Sequence, residues 1–211
     1  FPVFLLIPLI ILGKNYWEKL KLFVVSIAPY LLSILPYISS HNFRTNALFA
    51  NQSSKSLYAT LPVSGGEAII YFPVFLLFFY LIIWQAKFKT ELWRLYLIPL
   101  LLFFIFTHFH PQWLIWIVPL LILELTYSSF KNLLLHVLIY LSWFASLFFF
   151  DSSLTMNIFA PVIPILRNMP SIWNILNLNV DYNFSRSMIQ TAFASASMYL
   201  IYLYLPIKKN E

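Results

Sequence analysis

The chain contains no cysteine among its 211 residues, so neither a disulfide framework nor a thiolate metal site can form. Charge is almost as scarce: 9% of residues are Asp, Glu, Lys or Arg, against 61% hydrophobic. A water-soluble domain of this length needs far more charge to cover its surface. Glycine occurs three times only, which excludes glycine-rich phosphate loops beyond the single pair Gly65-Gly66. That pair lacks the following Lys-Ser/Thr of a nucleotide-binding loop. The net charge of +6 lies in short groups between apolar runs, not on one basic stripe, so a nucleic-acid partner is not expected.

What is abundant is long apolar sequence. A helix needs about 20 mostly apolar residues to cross a hydrocarbon core of about 30 Å. Runs on that scale lie at Leu20–Ile38, Ala68–Ala86, Leu133–Phe150 and Met188–Leu205. Phe1–Leu12 is apolar with no initiator Met, no basic n-region before it and no small-residue cleavage site after it. It reads as the tail of a truncated helix, not as a signal peptide. The expected fold is therefore all-α: a polytopic transmembrane helix bundle of about seven spans, the first truncated. Residues 1–211 are expected to form a single transmembrane domain, the C-terminal part of a longer protein.

The segment Leu92–Phe130 holds two apolar runs, Leu95–Phe109 and Trp113–Leu125, broken at His110-Pro111-Gln112. As α-helix its 39 residues reach about 58 Å, and two crossings need about 60 Å. This short hairpin is therefore expected to keep its turn, His108–Gln112, recessed in the membrane or in a cavity, where protein or water solvates it.

Orientation follows from the basic residues. Lys14, Lys19, Lys21, Lys87, Lys89, Arg94, Lys131, Lys208 and Lys209 fall on one side of such a bundle; Arg44, Lys55, Arg167 and Arg186 fall on the other. Nine against four marks the first side, and the C-terminus, as cytoplasmic. The loops Ser39–Glu67, His108–Gln112 and Asp151–Ser187 then face outward. The last of these is expected to lay a short amphipathic helix in the interface near Ser171–Leu178. Asn51-Gln52-Ser53 and Asn183-Phe184-Ser185 match the glycosylation sequon on that outer side.

Thr107-His108-Phe109-His110-Pro111-Gln112-Trp113 carries the most chemistry. Imidazoles donate to phosphate oxygens or exchange protons near neutral pH, and Gln112 adds donor and acceptor capacity. If Gln112 opens the following helix, free N–H groups there favour an anion. The alternative is a belt of polar aromatics at headgroup depth. His-x-His supplies two metal ligands and no third stands nearby, so no metal and no other cofactor is identified. Arg44 can pair with a phosphate or carboxylate. Asp151, at a helix end, is read as a solvated carboxylate and not as a base. Glu124, the only acid inside an apolar run, is expected towards the cytoplasmic end, with a structural role favoured over a functional one.

The run from His108 to Leu121, His-Phe-His-Pro-Gln-Trp-Leu-Ile-Trp-Ile-Val-Pro-Leu-Leu, resembles a segment of GT-C type membrane glycosyltransferases, above all mannosyltransferases dependent on polyprenyl-phosphate mannose. The rest of the likeness is general: Tyr- and Phe-rich spans, long outer loops and a basic C-terminus. The resemblance implies transfer of a sugar, mannose by analogy, from a polyprenyl-phosphate donor to a glycan or lipid acceptor on the extracytoplasmic face. The setting would be the plasma membrane of a prokaryote or the endoplasmic reticulum of a eukaryote. Such families place the catalytic Asp or Glu in the first outer loop. No counterpart is visible here, so no catalytic residue is carried over. His108, His110 and Gln112 would contact the donor phosphate or its lipid by position; Arg44 is a candidate from its chemistry alone. The competing expectations are a transporter or lipid flippase, with paired charges at mid-depth, and a non-catalytic membrane scaffold.

Overall fold

Helix formation follows from runs of Leu, Ile and Phe uninterrupted by glycine, and the computed structural model, which describes residues 3–48, 51–85, 91–150 and 156–205, is 74% helix and 5% strand. In chain order the helices are α1 (Leu6–Ile11), α2 (Tyr16–Ile34), α3 (His41–Phe43), α4 (Tyr71–Gln85), α5 (Leu92–Phe106), α6 (Val118–Tyr127), α7 (Leu133–Leu147), α8 (Ile172–Ile175) and α9 (Tyr182–Tyr204). The all-α expectation holds at this level. Lys87, Lys89, Asp151, Lys208 and Lys209 lie outside the described residues.

The chain divides into two compact units. One comprises residues 1–109 and 204–211, the other residues 110–203.

In the first unit, α5 is buried on every side, with Leu95, Leu97, Ile98, Leu101 and Phe104 at most 1% exposed. Burial of this kind suits a helix that is apolar all round. Aromatic contacts tie α4 to it: Phe75 stacks on Phe106 at 5.0 Å, and Phe4 meets Phe72 at 5.2 Å and Phe103 at 5.9 Å. The Tyr80 hydroxyl donates to the Phe4 carbonyl and so satisfies its own polar end. The loop before α4 departs from a purely helical picture. Thr60–Ser64 and Glu67–Ile70 pair antiparallel as strands β1 and β2 around Gly65-Gly66. Both glycines have positive φ, +57° and +93°, the backbone a tight hairpin turn demands. The β-branched residues here favour strand, and β2 takes Ala68–Ile70 from the expected span, so α4 begins at Tyr71.

α2 starts with a reciprocal cap. Asn15 accepts from the Glu18 N–H, while the Glu18 carboxylate accepts from the Lys14 N–H, each at 2.8 Å. Together with the 3-10 turn Leu35–Tyr37 it makes a 22-residue segment, the one helix among the described residues long and apolar enough to cross a membrane. α4, α5, α6 and α7 are apolar but run only 10 to 15 residues.

In the second unit α6 and α7 form a tight antiparallel hairpin. Ser129 and Phe130 both take left-handed backbone, at φ 52° and 63°, and the Phe130 N–H reaches back to the Leu125 carbonyl at 3.0 Å. This is a Schellman-type stop made without glycine, at a cost of about 1–2 kcal/mol for each residue so held. α9 begins where Asp181 accepts from the N–H groups of Asn183 and Phe184. That cap extends the helix six residues upstream of the expected span at Met188.

Candidate functional site

The two halves of the His108–Gln112 turn belong to different units. In the first, Phe109 packs edge-on against Phe104 at 4.7 Å and Thr107 is buried, while His108 is exposed. In the second, Pro111 is buried, His110 is half-buried and Gln112 is exposed. The turn is thus anchored by its apolar members and presents the polar ones.

The segment that follows is not an α-helix from its first residue. Pro111–Trp116 is a 3-10 helix, and α6 begins only at Val118. The Trp113 N–H is already taken by the His110 carbonyl at 2.9 Å, and Pro111 has no N–H. Of the first three residues of this start, Pro111 and Trp113 therefore offer no free N–H to an anion. The tighter winding also revises the length estimate. A 3-10 helix rises about 2.0 Å per residue, so this leg reaches about 27 Å with α6, against about 22 Å for α5.

His110 leans on aromatic surfaces. Its ring meets Trp113 edge-on at 5.9 Å and Phe150 at 6.3 Å. The Arg186 guanidinium lies over the same Phe150 ring, 5.6 Å from its centre. Arg186 also donates to the Tyr182 carbonyl at 3.3 Å and to Asn183 Oδ1 at 2.9 Å, which fixes its fork at the start of α9. Trp113 stacks on Trp116 at 5.4 Å, and Phe149 stacks on Trp173 of α8 at 4.9 Å. Within Ser171–Leu178, where a short helix was expected, the chain forms the single turn α8, capped by Ser171. Around Phe150, then, one imidazole and one guanidinium share an aromatic platform, an arrangement suited to an anion attached to an apolar tail.

Arg186 was legible only as one charge in a long loop. Nothing in its spacing brings it to His110, 76 positions earlier; packing alone does. Arg44 stands elsewhere, in the first unit. One of its nitrogens donates to the Ile38 and Ser39 carbonyls at 2.8 and 3.0 Å, closing the C-terminal end of the segment that α2 begins.

The Trp143 indole N–H donates to the Pro111 carbonyl at 2.7 Å and pins the turn to α7. Trp143→Phe removes this donor while the 3-10 ladder keeps its own bond to that carbonyl, and a loss of about 0.5–1.5 kcal/mol is expected. Thermal unfolding of the purified protein measures it; an unchanged melting temperature would show that the bond does not hold the turn.

A second polar group lies between α6 and α7. Glu124 is 0% exposed and His136 1%. His136 Nε2 contacts Glu124 Oε2, and the Asn132 side-chain N–H₂ donates to Glu124 Oε1 at 2.6 Å. Glu124 thus has an imidazole and an amide among its partners. His136 Nδ1 is buried with no hydrogen-bond partner. Sequence reasoning passed over His136, a lone polar residue in an apolar run; its one signal is that Glu124 and His136 lie almost evenly either side of the Ser128–Lys131 turn. Among the described residues no cluster of three or more His, Asp or Glu side chains could hold a metal ion. No family model, no curated protein and no solved structure matches this chain.

Proposed function

We propose that the chain is part of a polytopic membrane glycosyltransferase that transfers a sugar, mannose by analogy, from a polyprenyl-phosphate donor to a glycan or lipid acceptor on the extracytoplasmic side. The observation that carries this reading is the pairing of His110 and Arg186 on the Phe150 ring within a cluster of aromatic side chains. The donor has a phosphate head on a long apolar chain. Its leaving phosphate gains charge as the glycosidic bond breaks, and fixed cationic and hydrogen-bonding groups stabilise that charge. Arg186 supplies a permanent cation and His110 a donor, while the tryptophans and phenylalanines suit the isoprenoid. Gln112, exposed in the same unit, joins His110 and Arg186 in the substrate-binding set. His108 and Arg44 belong to the other unit and are retained as substrate-binding candidates from the sequence alone. No catalytic base is assigned.

The reading takes seven crossings, with the Lys-rich side cytoplasmic. α5 at about 22 Å and the Pro111–Tyr127 segment at about 27 Å each fall short of a core of about 30 Å.

The test is transfer from radiolabelled polyprenyl-phosphate mannose in membranes containing the full-length protein. His110→Ala with Arg186→Gln is expected to lower turnover about 10²–10³-fold with insertion unchanged, the loss typical of removing a charge-stabilising donor. Wild-type turnover in that variant would remove the cluster from the mechanism.

A transporter or flippase is the second reading, and the buried Glu124–His136 pair favours it, because paired ionisable groups inside apolar helices mark proton and substrate paths.

A further inference from the structure

Three features stood outside the site just described. The Glu124–His136 pair, with its unpartnered Nδ1, already belongs to the second reading above. The β1–β2 hairpin exposes Leu61, Val63 and Ile69, with nothing to say what covers them. α2 differs from both, because its length and its two ends specify an occupant.

No residue of α2 is buried. Val25 is 61% exposed and Leu32 66%. With its 3-10 extension the segment covers 22 residues, about 34 Å, enough to cross a hydrocarbon core of about 30 Å. Aromatic residues stand at both ends, Tyr16 and Trp17 at one and Tyr37 at the other, all more than half exposed. This is the pattern of a helix whose sides face lipid and whose rings sit at headgroup depth.

The two ends differ in their cations. At the Tyr37 end Arg44 spends a nitrogen on the carbonyls of Ile38 and Ser39. At the Trp17 end Lys14 and Lys21 are exposed, and neither has a carboxylate partner among the described residues. The adjacent Glu18 carboxylate is turned to the Lys14 backbone N–H, and Lys19 is taken up by the Trp84 ring at 4.3 Å. Trp17 and Lys21, four residues apart, share one face.

We propose that α2 is a lipid-facing span whose Trp17 end holds acidic phospholipid headgroups, with Lys14 and Lys21 as the phosphate partners and Trp17 as the interfacial anchor. The proposal rests on the membrane reading above and deepens it by naming a partner. Each lysine near an anionic surface strengthens binding severalfold, so the two together contribute at least roughly tenfold.

The absence of native cysteine makes the test direct. The full chain is prepared with a single environment-sensitive fluorophore at Leu32→Cys or at Leu20→Cys, in mixed micelles of phosphatidylcholine and phosphatidylglycerol. The Leu32 label is expected to report an apolar surrounding in pure phosphatidylcholine. The Leu20 label is expected to shift saturably as the phosphatidylglycerol fraction rises, and not with inorganic phosphate at equal concentration. Lys14→Gln with Lys21→Gln should move the midpoint to at least roughly tenfold higher phosphatidylglycerol, while Lys131→Gln leaves it in place. A midpoint unmoved by the double substitution, or a response that inorganic phosphate reproduces, overturns the headgroup site while leaving the membrane reading intact. A Leu32 label quenched by aqueous iodide overturns both. Self-quenching that grows with the labelled fraction identifies a second copy on α2 and overturns the lipid-facing assignment.

Discussion

Glu124→Ala is expected to destabilise the protein by about 3–5 kcal/mol, because it leaves His136 Nε2 buried without its acceptor and removes the Asn132 amide's bond to the same carboxylate. The magnitude comes from comparing two costs. A neutral hydrogen bond between helices in an apolar surrounding contributes about 0.6–2 kcal/mol. An ionisable group stripped of its only partner costs more, since water cannot reach it at 1% exposure. Location adds to the loss: Asn132 and Glu124 bracket the turn whose Ser129 and Phe130 hold left-handed backbone, so the amide–carboxylate bond also clamps a costly loop. Thermal unfolding in detergent is expected to shift down on the order of 10 °C. Glu124→Gln, which keeps an acceptor, is expected to recover most of that. Glu124→Leu with His136→Leu removes both polar groups and is expected to lie closer to wild type than either single change, as buried ion pairs replaced by apolar residues do. A Glu124→Ala protein that melts with the wild type would sink the idea that the cluster holds the hairpin. The leucine pair also separates the two functional readings. Sugar transfer that survives it assigns the pair to structure; loss of transfer or transport in a stably inserted protein assigns it to a substrate or proton path.

Single-cysteine labelling is expected to give an all-or-none pattern across the bilayer. Glu67→Cys, exposed at the start of β2, should react fully with a membrane-impermeant maleimide added outside intact cells or sealed vesicles of native orientation. Lys131→Cys, exposed in the α6–α7 turn, should react only after permeabilisation. These positions suit the purpose because no native cysteine competes and both lie in turns outside the apolar runs. The Lys131 change lowers the basic count on its side from nine to eight, against four opposite, so the charge asymmetry that sets orientation persists. Reaction of both positions from the same side would defeat the odd number of crossings between them and with it the outward placement of His110 and Arg186.

How much of this was legible in the residues varies by element. α2 was readable as a helix because its apolar run, Leu20–Ile38, is long; its start at Tyr16, set by the cap at Asn15 and Glu18, was not read. The hairpin legs were readable as apolar but not in their winding, because α- and 3-10 helices share composition and differ by which carbonyl the Trp113 N–H finds. The start of α4 was misplaced because Ala68–Ile70 suits a strand as well as a helix, and pairing with Thr60–Pro62 decided it. Of the candidate residues, His110 lies with a second donor, Arg186, that no spacing rule connects to it. Arg44 is occupied at a helix end through bonds to residues five and six positions before it.

The sequence by itself determined that this chain is mostly helical and built from long apolar runs, because scarcity of charge and of glycine leaves few other ways to satisfy its backbone. Only the tertiary structure decided that Glu124 meets His136 and that His110 and Arg186 share the Phe150 ring. Those meetings depend on where turns reverse the chain and which faces pack, and a linear pattern of hydrophobicity carries neither quantity.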